Sequence, residues 1–303
     1  MSKSFDRLNL LSTFVRIAES GSISAAARDL GISQPSASRH LVELESKLKT
    51  QLMRRNTHSL ALTDAGAELL LDARTLLADW ESLEEKHINF DSEVKGALNV
   101  VAPVALGQLH LARIATEFQL QHPNVNLNWQ LNDDQIRFTE VGCDCWIKIG
   151  AVQDDTLIVK PLAKVKRVLV GAKSLESTLS DINIDTIHSL PIIALSPFEA
   201  QTVPLKKSNR VEKITFSAAM QTNNIFAVKE ACKLGLGIAV MPLWFVSEEL
   251  ERGALINVLP QWQAPELPIH IAFLPNRYKP LRLKLFAEHV EKELAGVNGI
   301  QID

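Results

Sequence analysis

The chain has 303 residues, 46% of them hydrophobic and 22% charged, with a net charge of −3. That length supports about two domains at roughly 100–200 residues each, and the composition excludes a disordered chain. No apolar run approaches the ~18 residues of a membrane span, and the opening MSKSFDRLNLLSTFV lacks the order of a secretory leader, so a cytoplasmic location is expected.

The first predicted helix runs from about Phe5 to Glu19, with Leu8, Leu11, Phe14, Val15 and Ala18 forming one apolar stripe. Ser20-Gly21-Ser22 ends it. A short second helix, Ser24 to Leu30, contains Ala25, Ala26 and Ala27 and stops at Gly31, where a left-handed cap belongs. Ser33 is a good N-cap and Pro35 fits the first turn of a third helix reaching Leu48. Its inward face is predicted to be Ala37, Leu41, Leu44 and Leu48. Two helices joined by a short Gly-containing turn form a helix-turn-helix. Gln51 to Thr63 reads as a two-stranded wing with its tip at Asn56 to Ser59. This end is basic: residues 1–60 carry nine Lys/Arg against five Asp/Glu, a balance of +4 that leaves −7 on the remainder. A basic end on an acidic body suits phosphate contact at one end only.

A long helix follows from Thr63 to about Phe90. Leu69, Ala73, Leu76, Trp80, Leu83, His87 and Phe90 step alternately by four and three, the spacing of a dimeric coiled-coil seam. A helix packed on its own domain is the alternative. After Gly96 strands and helices alternate. Strands are predicted at 97–102, 125–131, 145–149, 167–171, 192–195 and 238–241, and helices at 106–121 and 224–234. That order implies an α/β fold with a mostly parallel sheet, and ligands bind such sheets at the carboxyl ends of the strands. Cys143, Cys145 and Cys232 are too few for a disulfide scaffold. They are expected to be reduced, half-buried thiols, with Cys143 and Cys145 on one strand face.

The run Ser24-Ala25-Ala26-Ala27-Arg28-Asp29-Leu30-Gly31-Ile32-Ser33-Gln34-Pro35-Ser36-Ala37-Ser38-Arg39 resembles the signature of LysR-type transcriptional regulators. Leu41, Leu44, Glu45, Leu48, Leu52, Arg55, Leu62, Thr63, Ala65 and Gly66 continue it. Ile147-Lys148-Ile149-Gly150, Gly235 to Pro242 and Leu255 to Leu259 are similar to motifs of the regulatory domain. The resemblance implies a winged helix-turn-helix over 1–62, a linker and dimerisation helix over 63–91 and an effector domain over 92–303. That domain would be two-lobed and periplasmic-binding-protein-like, lobe I being 92–163 with 267–303 and lobe II 164–266. It further implies a homodimer or homotetramer on double-stranded promoter DNA, controlled by a small-molecule effector held between the lobes.

The start of the third helix is the part that enters a major groove. Gln34 can read an adenine edge and Arg39 a guanine or a phosphate. Ser33, Ser36 and Ser38 offer short hydroxyls, and Pro35 an apolar face for a thymine methyl. On the wing, the resemblance places the usual minor-groove arginine at His58, a departure that weakens this contact or makes it pH-sensitive. Arg54 is the substitute, and Arg55 either contacts DNA or holds the wing. The chain is expected to cross between lobes near 162–166 and 263–268. Pocket walls are expected from Pro103, Val104, Ala105, Asn132, Lys148, Ser196, Phe198, Thr222 and Asn223. The first sensor helix starts Ala102-Pro103-Val104-Ala105, without the hydroxyl that helps a helix N-terminus hold a carboxylate. The expected ligand is mainly apolar, or its anion meets Lys148, unless Lys148 serves a lobe-spanning ion pair.

An enzyme is the first rival reading. The chain has no Gly-x-Ser-x-Gly, no phosphate-cradling loop with Lys and no His pair at metal spacing, so no catalytic residue, metal or cofactor is expected. A plain small-molecule binding protein without a DNA role is the second. The basic N-terminal motif argues against it.

Overall fold

The computed structural model describes residues 5–56, 59–87, 94–196, 202–216, 218–275 and 279–302. The chain opens with α1 (Phe5–Ser20), α2 (Ile23–Asp29) and α3 (Gln34–Leu48). α1 packs against α2, α3 and the later linker helix, so its buried face is wider than one stripe. Leu10, Phe14 and Ile17 are fully enclosed, whereas Leu8, Leu11 and Ala18 are only half-buried. α2 starts one residue before the predicted Ser24, and Ser22 caps it, accepting from Ala25 N. Gly31 follows at φ +64°, and Ser33 accepts from Ser36 N at 3.3 Å to start α3. Ala37, Leu41 and Leu44 point inward, but Leu48 is 45% exposed. α3 ends there because Lys49 adopts the left-handed conformation (φ 53°) and turns the chain outward.

The wing is β1 (Met53–Asn56) paired antiparallel with β2 (Ser59–Leu62). Glu45 fixes its root, its carboxylate accepting from Leu52 N and Met53 N at 2.8 and 3.1 Å. The linker helix α4 (Asp64–His87) starts at Thr63, whose hydroxyl accepts from Gly66 N at 2.9 Å and donates to Gln51 O at 2.7 Å. The predicted seam divides along this helix. Ala73 is buried and Leu69 half-buried against the first unit, whereas Leu76, Trp80 and Leu83 are 51%, 40% and 41% exposed. The His87 side chain and Phe90 lie outside the described residues.

The second part begins with β3 (Gly96–Ala102). One helical run follows, made of α5 (Val104–Leu106), a π-turn over Gly107–Leu111 and α6 (Ala112–Gln121). Then come β4 (Val125–Leu131), α7 (Phe138–Val141), β5 (Cys145–Ile149) and the long β6 (Ile158–Ala172). Next are α8 (Glu176–Ser180), β7 (Ile192–Leu195), β8 (Thr202–Lys207), β9 (Arg210–Thr215), β10 (Ala218–Thr222), α9 (Ile225–Lys233) and β11 (Ala239–Pro242). After α10 (Leu243–Glu251) and β12 (Leu255–Asn257), β13 (Ala264–Phe273) leads to α11 (Leu281–Leu294) and β14 (Ile300–Gln301).

The sheet is mixed, not mostly parallel. β3 is parallel to β4 and β5, but β13 is antiparallel to β5 and β6, while β7 and β10 form a separate parallel pair. β11, β12 and β14 are antiparallel to β6 as well. Outgoing β6 and returning β13 lie side by side and run in opposite directions. Leu267 faces Val165 and Pro268 faces Lys164, within the two predicted crossing segments. One apolar cluster joins β3, the α5–α6 run, β6, α10 and α11, and a second gathers around Leu169, Ile192, Leu205 and Val240.

The cysteines are wholly buried rather than half-buried. Cys143 precedes β5 instead of belonging to it, so Cys143 and Cys145 enter different apolar clusters and share no strand face. Burial pushes Cys143 and Cys232 up to about 12 and Cys145 well above its ordinary value, so none is a thiolate near neutrality. Among the described residues no helix is long and apolar enough to cross a membrane.

Candidate nucleic-acid interface and ligand cavity

The first turn of α3 is held rigid by its own side chains. The hydroxyls of Ser33 and Ser36 lie 2.9 Å apart. Arg39 Nε donates to Pro35 O and Nη2 to Ser36 Oγ, both at 3.3 Å. Those bonds use two of the five guanidinium donors, and the side chain is held in place along an exposed surface. Ser33, Gln34, Pro35 and Arg39 are exposed; Ser36 and Ser38 are half-buried. The opposite face is locked to α1, with Thr13 Oγ1 2.9 Å from His40 Nδ1 and Thr13 buried. The first turn of α3 is thus a fixed shape on a rigid scaffold.

Arg54 is exposed on β1, opposite Ala61. Arg55 pairs with Leu60 in the ladder, its side chain beyond what is described, and His58 lies outside the described residues. Val42 was missed by the sequence reading. It is an apolar residue 60% exposed on α3, seven positions after Pro35 and so on nearly the same face. An apolar residue on the polar side of an amphipathic helix was the available signal.

A cavity of about 550 Å³ lies where the strand ends β3, β4 and β5 face β7 and the start of α9. Of the predicted wall residues, Pro103, Ala105, Lys148, Ser196 and Asn223 line it. Val104, Asn132 and Thr222 instead shape the loops around it. Val104 N donates to Asp133 Oδ1 at 2.9 Å, Asn132 Oδ1 accepts from Asp134 N at 2.8 Å, and Thr222 Oγ1 accepts from Asn224 N at 3.2 Å. Phe198 lies outside the described residues.

Asp133, Arg167 and Trp244 also line the cavity and were missed. Asp133 follows β4 directly, where strand-end chemistry is expected. Arg167 is a charge inside the apolar run of β6 and is 6% exposed. Trp244 carried no signal, because α10 itself was not predicted. Lys148 turns toward the loop that follows β4. Its ammonium donates to Asp133 O and, at 3.4 Å, to Asp134 O on its own side. Burial pulls it below the ordinary lysine value, with Asp133 and Asp134 opposing that shift. The His110 ring meets Trp244 of α10 edge-on at 5.4 Å. Burial, aided by Arg113, holds that imidazole below its ordinary value.

Residues 91–295 match the family described as "LysR substrate binding domain", and residues 8–67 match "Bacterial regulatory helix-turn-helix protein, lysR family". The chain is 27% identical over 303 residues to the transcriptional regulator PtxR of Pseudomonas aeruginosa, covering 97% of this chain and 96% of that one. It is 26% identical over 286 residues to the transcriptional activator AaeR of Escherichia coli, covering 92% and 91%. Among solved structures it resembles full-length AphB of Vibrio cholerae (24% identity, TM-score 0.57, 93% and 98% covered). It also resembles a full-length variant of OxyR from Pseudomonas aeruginosa (17% identity, TM-score 0.71, 93% and 94% covered).

Proposed function

The chain belongs to the LysR family of bacterial transcriptional regulators, DNA-binding proteins and not enzymes, and from that premise we propose which of its surfaces perform each task. The N-terminal winged helix-turn-helix, residues 1–62, reads promoter DNA. Its reading head is the first turn of α3, with Gln34 and Arg39 on base edges, Ser33 and Ser36 on phosphate, and Pro35 and Val42 on thymine methyls. Arg54 tracks the backbone from the wing, with Arg55 and His58 beyond it. The linker, residues 63–91, joins two copies through Leu76, Trp80 and Leu83, an apolar stripe at heptad spacing that a partner helix would cover. The effector domain divides into lobe I (92–163 and 267–303) and lobe II (164–266), and the cavity between them takes a small molecule. The protein works in the cytoplasm, where promoter DNA is.

The observation that carries this reading is the rigid, exposed first turn of α3 in a basic N-terminal unit. The test is binding of promoter fragments at rising salt. Affinity is expected to fall steeply as salt rises, and Gln34→Ala is expected to bind more weakly. Salt-independent binding, or unchanged affinity in Gln34→Ala, would remove the reading head from α3.

A further inference from the structure

Arg74 of α4 touches both parts of the chain. On one side its Nε and Nη2 donate to the same oxygen of Glu19, at 3.3 and 3.1 Å. Glu19 lies in the last turn of α1, and its other oxygen accepts from Arg16 Nη1 at 3.4 Å. The Arg74 and Glu19 side chains are 19% and 25% exposed, so salt screens this pair less than one standing in open water.

On the other side the guanidinium lies over Gly142. Gly142 closes α7 at φ +67°, a conformation that suits glycine. The cap alone would also admit asparagine. The space would not. A Cβ there would stand 2.2 Å from Arg74 Nη2, 2.6 Å from Cζ and 2.8 Å from Nη1. An arginine tip ordinarily swings aside, but this one is forked onto Glu19 and moves only by loosening that fork. The seat is fixed as well. Asp144 N donates to Asn99 O at 2.8 Å, and the Asp144 carboxylate accepts from Asn99 N and Nδ2 at 2.8 and 3.0 Å, which ties the segment to β3. Leu71, Thr75 and Ala78 of α4 share a cleft of about 50 Å³ with Phe138 and Asp144, room for a few waters at most. The linker helix thus lies along this face for two turns.

We propose that Arg74 is a positioning residue: forked onto Glu19 and seated on the Gly142 cap, it clasps the winged helix-turn-helix to the chain's own effector domain and fixes the angle at which α3 is presented to DNA. The presentation to DNA rests on the reading of α3 as the DNA-reading element; the clasp itself does not. Plain packing predicts something else. If Arg74 only joins α4 to α1 and Gly142 is only a helix cap, changes at the two positions act independently.

The three native cysteines are buried, so new surface cysteines take a nitroxide label selectively. Ser24→Cys on α2 and Glu291→Cys on α11, both at exposed positions, report the angle as a distance within the full chain. Labelled chain is diluted in unlabelled chain so that each oligomer holds one labelled copy. Pulsed electron paramagnetic resonance should give one narrow distance distribution. Arg74→Ala and Glu19→Ala should each shift or broaden it. Gly142→Ala, outside the N-terminal unit, should do so too, yet add nothing to Arg74→Ala. A broad distribution in the unaltered chain, an unchanged one in any of the three variants, or a Gly142→Ala effect equal with and without Arg74 overturns the clasp. Promoter fragments test the consequence. Inserting about 5 base pairs, half a helical turn, between protected half-sites should weaken binding by the unaltered chain about tenfold or more and by Arg74→Ala about threefold or less. An equal penalty in both overturns the positioning role. If the distances behave as expected and no promoter fragment is retained, the clasp stands and the DNA reading fails.

Discussion

At the residue scale, two side chains make quantitative claims. Arg39 is held along α3 by Pro35 O and Ser36 Oγ, so its remaining donors are presented with little entropy left to lose. Arg39→Ala should cost about 1–3 kcal/mol of operator binding and relax selection at one base position. Competition with single-base operator variants measures this, and uniform weakening across all variants would demote Arg39 to a phosphate contact. His110 makes the pH claim. Burial first and Arg113 second hold its imidazole below 6.5, so the folded chain favours the neutral ring. Its contribution to stability is complete above pH 6.5 and is lost as pH falls below that value toward the lowered folded one. The melting temperature should therefore decline more steeply below pH 6.5 in the native chain than in His110→Gln. Parallel slopes would contradict the assignment. Trp244, its ring partner, belongs to a helix the sequence did not announce. Trp244, Phe245 and Val246 are buried in succession, and periodicity carries no information in such a run.

At the element scale, caps and seams do the organising. Ser33 starts α3 by accepting from Ser36 N, and Ser33→Ala should lower stability by about 1 kcal/mol, read from urea midpoints. A loss confined to DNA binding would mean the hydroxyl serves only the duplex. The α4 stripe is the second case. Leu76 and Trp80 are exposed on an isolated chain, so Leu76→Glu with Trp80→Glu should shift sedimentation from dimer toward monomer without lowering the melting temperature of a monomeric unit. An unchanged sedimentation profile would place the interface elsewhere. Much of this scale was legible beforehand. The Gly31 cap, the Ser33 cap, the wing and strands β4, β5 and β7 follow from local chemistry, because their signals lie within a few residues. Strand direction did not. Antiparallel β13 against β6 is a pairing across about a hundred positions, which no local pattern signals. Leu48 was misplaced because the apolar spacing of Leu41 and Leu44 continues to it, but Lys49 turns the chain outward there.

At the scale of the whole molecule, the charge division and the fold agree. A basic head joins an acidic body, and the linker helix lies between them. Glu19 of α1 holds Arg74 of α4 at 3.1 Å, and the Arg74 guanidinium passes directly over Gly142 of the effector domain. A Cβ at Gly142 would fall 2.2 Å from that guanidinium. The cavity was half legible for the same reason as the sheet. Strand-end residues such as Pro103 and Lys148 follow from local order, whereas Arg167 and Trp244 arrive from distant segments. The central claim is that the first turn of α3 enters the major groove of promoter DNA in each of two linked copies. A hydroxyl-radical footprint on the promoter fragments that bind tests it most directly. Two protected half-sites are expected, their centres separated by whole helical turns, about 10 base pairs or a multiple, both lost together in Arg39→Ala. A single protected patch, or protection that survives Arg39→Ala unchanged at elevated salt, would contradict it.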